Sequence, residues 1–124
     1  ELAKALNPIV YLDKDTLIVL SKQIFVVAGE EYNRSSPFFE ENIRNFEYDA
    51  IVDLALESLD YSDRCLINAP FTREVRNVEY MRSLRRKLQE KGARLVVVWV
   101  KTDPEVILIS PVLSSKVTLA VFSA

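Results

Sequence analysis

The chain contains no histidine and a single cysteine, Cys65, in 124 residues. Zinc sites, haem ligation, Ser-His-Asp triads and Cys-His dyads cannot be assembled from such an inventory within one chain. An intramolecular disulfide is impossible, and no charged-then-apolar signal segment opens the sequence, so a reducing, cytoplasmic setting is expected. Cys65 reads as a packed strand residue, since no base or metal partner is at hand. Glycine is nearly as scarce, with only Gly29 and Gly92. A Walker A loop needs two glycines five apart followed by Lys and Ser or Thr, and neither glycine has a partner at that spacing. Lys101-Thr102 is followed back to Leu95 and Val100, where those glycines would have to stand. A charge excess is missing too: 16 Lys and Arg against 18 Asp and Glu give a net charge of -2. No overall electrostatic case exists for nucleic acid or an anionic membrane, and neither is expected as a partner.

What is present fits one soluble globular domain, with 49% hydrophobic and 27% charged residues. Glu1–Leu6 (ELAKAL) is made of good helix formers and reads as the end of a helix whose start is missing, which suggests a fragment. Asn7-Pro8 breaks it. Ile9–Leu12 is a short strand that runs into the acidic cluster Asp13-Lys14-Asp15. Thr16–Ala28 is mostly apolar and fits a helix capped by Asp15 and stopped by Gly29, although its Ile and Val content also suits a strand. Glu30–Ser36 is a polar loop, and Ser36-Pro37 supplies an N-cap and a first-turn proline for a long helix. Its apolar stripe is Phe39, Ile43, Phe46, Ala50 and Leu54, widened by Ile51, Ala55 and Leu59.

Cys65–Ala69 is a short strand ended by Pro70, and the loop after it, residues 70–76, carries Arg73 and Arg76. Asn77 caps a helix with Val78, Met81, Leu84 and Leu88 on one face, closed by Gly92. The basic cluster Arg82, Arg85, Arg86 and Lys87 lies opposite that face and reads as a solvated surface. Arg94–Val100 (RLVVVWV) is a continuous apolar run, the mark of a strand covered on both faces; Trp99 within it reads as core. Strand and helix therefore alternate, which indicates an α/β layer fold. Asp103-Pro104-Glu105 announces another helix, yet residues 104–124 hold only two charges, Glu105 and Lys116. Pro111 and Ser114-Ser115 interrupt that tail, so it is no membrane span. Val106–Ile109 and Val117–Phe122 read as two short strands or as a buried tail.

The runs YLDKDTL (Tyr11–Leu17), CLINAPFTREVRN (Cys65–Asn77) and RLVVVWVKTDPEV (Arg94–Val106) resemble the P-loop kinase-like ATPases, an AAA-family group of ATP-binding proteins akin to zeta-toxin and chloramphenicol phosphotransferase types. The similarity covers roughly residues 1–106 and leaves residues 107–124 as an apolar tail or edge strands. It implies an α/β, three-layer parallel sheet of the P-loop NTPase kinase type, truncated at the N-terminus, with the phosphate-binding loop lying upstream of Glu1 and ELAKAL as the end of the helix that follows it. It implies ATP and Mg2+ as cofactors, neither held well by this chain alone, and a small-molecule phosphoryl acceptor as partner.

By the same resemblance, Asp13 and Asp15 match the family's acceptor-facing acid, which acts as general base. Asn68 stands where a Walker B carboxylate is usual, which weakens magnesium handling. The arginine-rich lid expected after Asp103-Pro104-Glu105 is missing its arginines. Arg34, in the loop Tyr32-Asn33-Arg34, together with Arg73 and Arg76, becomes a candidate for substrate contact. Each candidate has a plainer counterpart: Asp15 as an ordinary helix cap, the arginines as solvated loop residues. The competing class is a non-catalytic remnant or interaction domain that keeps the scaffold; a third is a small-ligand binding module using the same crevice. A sheet lacking a neighbour strand also predicts self-association through its exposed edge, or filling by Val117–Phe122.

Overall fold

A computed structural model describes residues 4, 9–100, 107–108 and 118–123 of the chain. The expected helix over residues 1–6, apart from Lys4, and the expected helix start at residues 103–105 lie outside the described residues.

The first strand, β1 (Val10–Asp13), ends in a residue that folds the chain back on itself. The Asp13 carboxylate accepts from the Asp15 N–H at 2.9 Å, closing an Asx turn. That turn starts a 3-10 segment, Lys14–Leu17, which runs on into helix α1, Ile18–Ala28. Asp13 therefore caps the 3-10 segment, while α1 itself begins after Leu17 with no side-chain cap, so the expected cap at Asp15 is not formed: its place is inside the 3-10 turn, where it supplies a backbone N–H instead. Gly29 ends α1 in the left-handed conformation at φ 71°, its N–H donating to the Phe25 and Val26 carbonyls.

Ser36 and Pro37 start α2 (Pro37–Asn42) as expected, the Ser36 hydroxyl accepting from Phe39 N–H at 3.1 Å. The long helix is nevertheless two helices. At Ile43 the backbone leaves helical geometry (φ -128°, ψ -51°) and a second axis begins in α3 (Arg44–Ser58). The break turns the buried face of α3 onto Ile51, Val52 and Ala55, and leaves Phe46 and Leu54, two members of the expected stripe, 65% and 44% exposed. Strand β2 (Arg64–Ala69) follows. Helix α4 (Val78–Glu90) is capped by the Asn77 side chain on Tyr80 N–H at 3.0 Å, and buries Met81, Leu84 and Leu88 while Val78 faces solvent. The chain closes with β3 (Arg94–Val100), β4 (Ile107–Leu108) and β5 (Thr118–Ser123).

Among the described residues five strands form one sheet in the order β1-β2-β5-β3-β4. β1 pairs parallel with β2, from Val10 beside Cys65 to Asp13 beside Asn68. β5 pairs antiparallel with both β2 and β3, with Ala120 opposite Ile67 on one side and Val97 on the other. β1, β2 and β3 thus share one direction, as an alternating α/β pattern requires, but the sheet is mixed rather than all parallel. The tail strand is central rather than an edge. A nearly charge-free segment containing Thr118 and Val121 is suited to neighbours on both sides, and it satisfies the ladder groups that β2 and β3 would otherwise leave open between them.

Helices α3 and α4 cover one face of the sheet. Their Ile51, Val52, Ala55, Leu84 and Leu88 meet Cys65, Ile67 and Ala69 of β2 in a single cluster. A smaller cluster of Phe25, Phe39 and Ile43 ties α1 to the α2–α3 junction, with the Phe25 and Phe39 rings stacked at 6.4 Å. Among the described residues no helix is long and apolar enough to cross a membrane.

Because Ala120 is paired on both sides, Ala120→Pro removes a ladder hydrogen bond from the middle of the sheet. Urea unfolding followed by circular dichroism should show a marked fall in midpoint or loss of the cooperative transition; an unchanged midpoint contradicts the central placement of β5.

Candidate functional site

The parallel register of β1 and β2 sets Asp13 directly beside Asn68 at the carboxyl ends of the two strands. Tyr11, two residues before Asp13, lies on the same sheet face. The Asn68 amide donates to the Tyr11 hydroxyl oxygen at 2.8 Å and lies 3.4 Å from Asp13 Oδ2, and the Tyr11 hydroxyl donates to the same carboxylate oxygen at 3.3 Å. With the Asp15 N–H on Oδ1, the Asp13 carboxylate is oriented by three donors while remaining partly open to solvent. Asp15 itself is exposed, contributing its backbone N–H to this arrangement. A carboxylate held at the carboxyl end of a parallel strand, the end at which open α/β sheets take their ligands, can orient a hydroxyl and accept its proton.

Between the two aspartates the chain points the other way. Lys14 is buried at 5% exposure, and its ammonium donates to Glu47 Oε1 at 3.2 Å. Glu47, at 4% exposure, is a hub: it also accepts from the Ser21 hydroxyl and takes both ends of the Arg34 guanidinium, at 2.8 and 3.0 Å. Burial alone pushes the Glu47 carboxyl up, but the Arg34 and Ser21 hydrogen bonds and the Lys14 charge together outweigh it and hold the group below the ordinary carboxyl value. The candidate substrate residue Arg34 is thereby engaged internally, its guanidinium stacked 4.5 Å from the Phe39 ring centre.

Arg73 is engaged as well, in a two-pronged pair with Glu40 of α2 at 2.7 and 2.8 Å, out in solvent. Its neighbour Glu74 is buried and receives the Arg44 fork at 2.8 and 3.2 Å. The loop after β2 is thus held by two Arg–Glu forks of opposite polarity. A third tie is the Tyr48 hydroxyl, which donates to the Pro70 carbonyl at 2.8 Å. Around these groups lies a cleft of about 450 Å³, whose lining includes Arg44, Asp49, Arg73, Glu74 and Tyr80. Burial and the carboxylates of Glu74 and Asp49 push the Tyr80 phenol up to about 12, so it stays protonated and available as a donor. Arg76 is exposed.

The candidates therefore separate. Asp13 and Asn68 meet, and Tyr11 joins them. Arg73 lines a cleft on the helix-covered side, and Arg34 belongs to the Glu47 hub. Lys14, Arg44, Glu47 and Glu74 were not singled out by sequence reasoning. One signal was available: Glu47 falls four residues after Ile43 and four before Ile51, so a carboxylate sits within an apolar stripe and demands buried partners. No family model, no curated protein and no solved structure matches this chain.

Glu47→Gln leaves Lys14 and Arg34 without their anion, and breaking a buried pair in this way costs about 3–5 kcal/mol. Chemical denaturation should show that loss, whereas a cost of a few tenths would mark the hub as incidental. The depressed Glu47 carboxyl also fixes a pH dependence. Its contribution is complete above the unfolded value near 4.5 and drains away as pH falls through the lower folded value. The wild-type thermal midpoint should drop on acidification below about pH 4.5, and the part of that drop due to Glu47 should be missing in Glu47→Gln.

Proposed function

We propose that this chain is the acceptor-binding side of a cytoplasmic, ATP-dependent phosphotransferase of the P-loop kinase-like type, acting on a small hydroxylated molecule, with Asp13 as the base that orients the acceptor. The observation that carries the reading is the cross-strand meeting of Asp13 and Asn68 at the carboxyl ends of β1 and β2, with the Asp13 carboxylate oriented and partly open. The shared direction of β1, β2 and β3 supports a kinase-type α/β scaffold. In phosphoryl transfer most of the catalysis is positioning and charge neutralisation, so an aimed carboxylate on the acceptor hydroxyl is a separable part of the machinery.

The described residues do not fit the other part. No GxxxxGK[ST] loop occurs in the sequence, and the Walker B position holds Asn68, whose amide nitrogen is turned toward Asp13 and Tyr11. No step is therefore routed through Mg2+ or the triphosphate on these residues. A second reading is favoured by a specific observation: the Arg34 and Arg73 forks are both satisfied by Glu47 and Glu40, as in a scaffold kept for binding rather than catalysis.

Transfer of labelled phosphate from ATP to a panel of small polyols and aminoglycoside-like acceptors, assayed in the full natural protein, separates the two. The kinase reading expects transfer that Asp13→Asn lowers about 10²- to 10⁴-fold in kcat with an unchanged far-UV spectrum. Full activity in Asp13→Asn contradicts Asp13 as base; absence of transfer to every acceptor supports the binding scaffold.

A further inference from the structure

The cleft beside Arg44 has no part in the chemistry proposed for Asp13. It lies between the first half of α3, the loop after β2 and the start of α4, and its volume of about 450 Å³ falls within the ~300–1,000 Å³ of small-molecule sites. It belongs to the opposite side of the sheet from Asp13. Leu12, Ile67 and Ala69 pack into the cluster beneath α3 and α4, and the alternation along each strand turns Asp13 and Asn68 to the other face.

The wall of the cleft is a buried, hydrogen-bonded frame with donors left over. Arg44 is 9% exposed, and a guanidinium carries five N–H donors. Three are used, on Asn45 Oδ1 at 3.2 Å and on the Glu74 carboxylate at 2.8 and 3.2 Å. The Nε–H and one Nη2–H have no acceptor among the described residues. A buried donor left open costs free energy that an acceptor inside the cleft would recover. The Tyr80 hydroxyl and the Asp49 carboxylate also line the cleft, and among the described residues neither side chain has a hydrogen-bond partner.

Charge selects the class of ligand. Arg44 and Arg73 stand against Asp49 and Glu74, so the lining has no net charge, and both arginines already hold glutamates. An anion would meet Asp49 and Glu74 without a free arginine fork to receive it, and a cation would meet Arg44. A hydroxyl group both donates and accepts, so one functional group can serve the open donors of Arg44 and Tyr80 and the acceptor Asp49. Every side chain that lines the cleft carries a polar group, which suits a ligand that is polar all round its rim. A second hollow of about 410 Å³ shares Asp49 and Tyr80 and continues between α3 and α4 past Val52 and Leu84, an apolar strip on which the C–H face of a pyranose ring can lie.

We propose that this cleft binds a small neutral polyhydroxylated ligand of the sugar class, one or two rings in size, with Arg44 and Tyr80 as donors and Asp49 as acceptor. The inference is independent of the chemistry proposed for Asp13, from which the sheet separates it.

NMR titration of the ¹⁵N-labelled full chain with D-glucose, D-galactose, D-mannose, maltose and cellobiose tests it. At least one sugar should shift the amide signals of Arg44, Asp49, Asn77 and Tyr80 saturably, with half-saturation in the millimolar range that so small a ligand can reach. Tyr80→Phe should weaken that binding about 3- to 10-fold and Asp49→Ala at least about tenfold, each with an unchanged circular dichroism spectrum. Tyr61→Phe, at an exposed tyrosine beyond the end of α3, should leave it unchanged. Absence of saturable shifts with all five sugars, saturation of the same signals by sodium phosphate or putrescine instead, or shifts centred on Asp13 and Asn68 that the Tyr80 and Asp49 substitutions do not move would each overturn the inference; the last would leave the reading of Asp13 standing.

Discussion

One buried carboxylate organises the half of this domain that carries its candidate chemistry. Glu47 projects from α3 and gathers Lys14 from the turn after β1, Ser21 from α1 and Arg34 from the loop before α2. Those partners lie 33, 26 and 13 residues away in sequence, so a single side chain sets where three separate segments end up. A carboxylate this deep is costly to desolvate, and its partners offset that cost only while the geometry is complete. Its contribution is therefore better understood as selecting one arrangement than as a large net stabilisation.

The hub extends further through an aromatic ring. The Lys14 ammonium lies 5.1 Å from the centre of the Tyr48 ring, and the Arg44 guanidinium 4.6 Å from the same centre. Arg44 passes to Glu74, and Tyr48 to the Pro70 carbonyl, so the loops after β1 and after β2 are held by one connected set of charges and rings. Asp13 and Asn68 sit at the starts of those two loops. The side chains around Asp13 aim its carboxylate, but the network beneath Lys14 keeps the turn itself in place. A site assembled on two strand ends needs such an anchor, because each strand end is followed by irregular chain.

Local rules made much of this legible. Ser36-Pro37, Asn77 and Gly29 punctuate helices through fixed backbone chemistry, and each acts where that chemistry predicts. The apolar run over residues 94–100 and the run over residues 65–69 could hardly be anything but inner strands. What failed was non-local. The break at Ile43 is invisible to periodicity because Ile43 is itself apolar and well placed in the stripe; the stacking of Phe25 on Phe39 across two helices is what holds the junction. The place of Thr118–Ser123 between β2 and β3 depends on partners about 50 and 25 residues away, which no window of local sequence contains. Arg34 and Arg73 looked free because their acceptors, Glu47 and Glu40, are contributed by other elements. Glu47 alone carried a local mark, an acid inside a hydrophobic row, but apolar periodicity by itself did not single it out.

The organising role of Glu47 is best tested by native-state hydrogen exchange read residue by residue in wild type and Glu47→Gln. Glu47→Gln should exchange faster in Lys14–Ala28 and Asn33–Ser36 above all, with β2 protected well beyond those segments. Equal acceleration through all elements, or no change in the two segments, would contradict it.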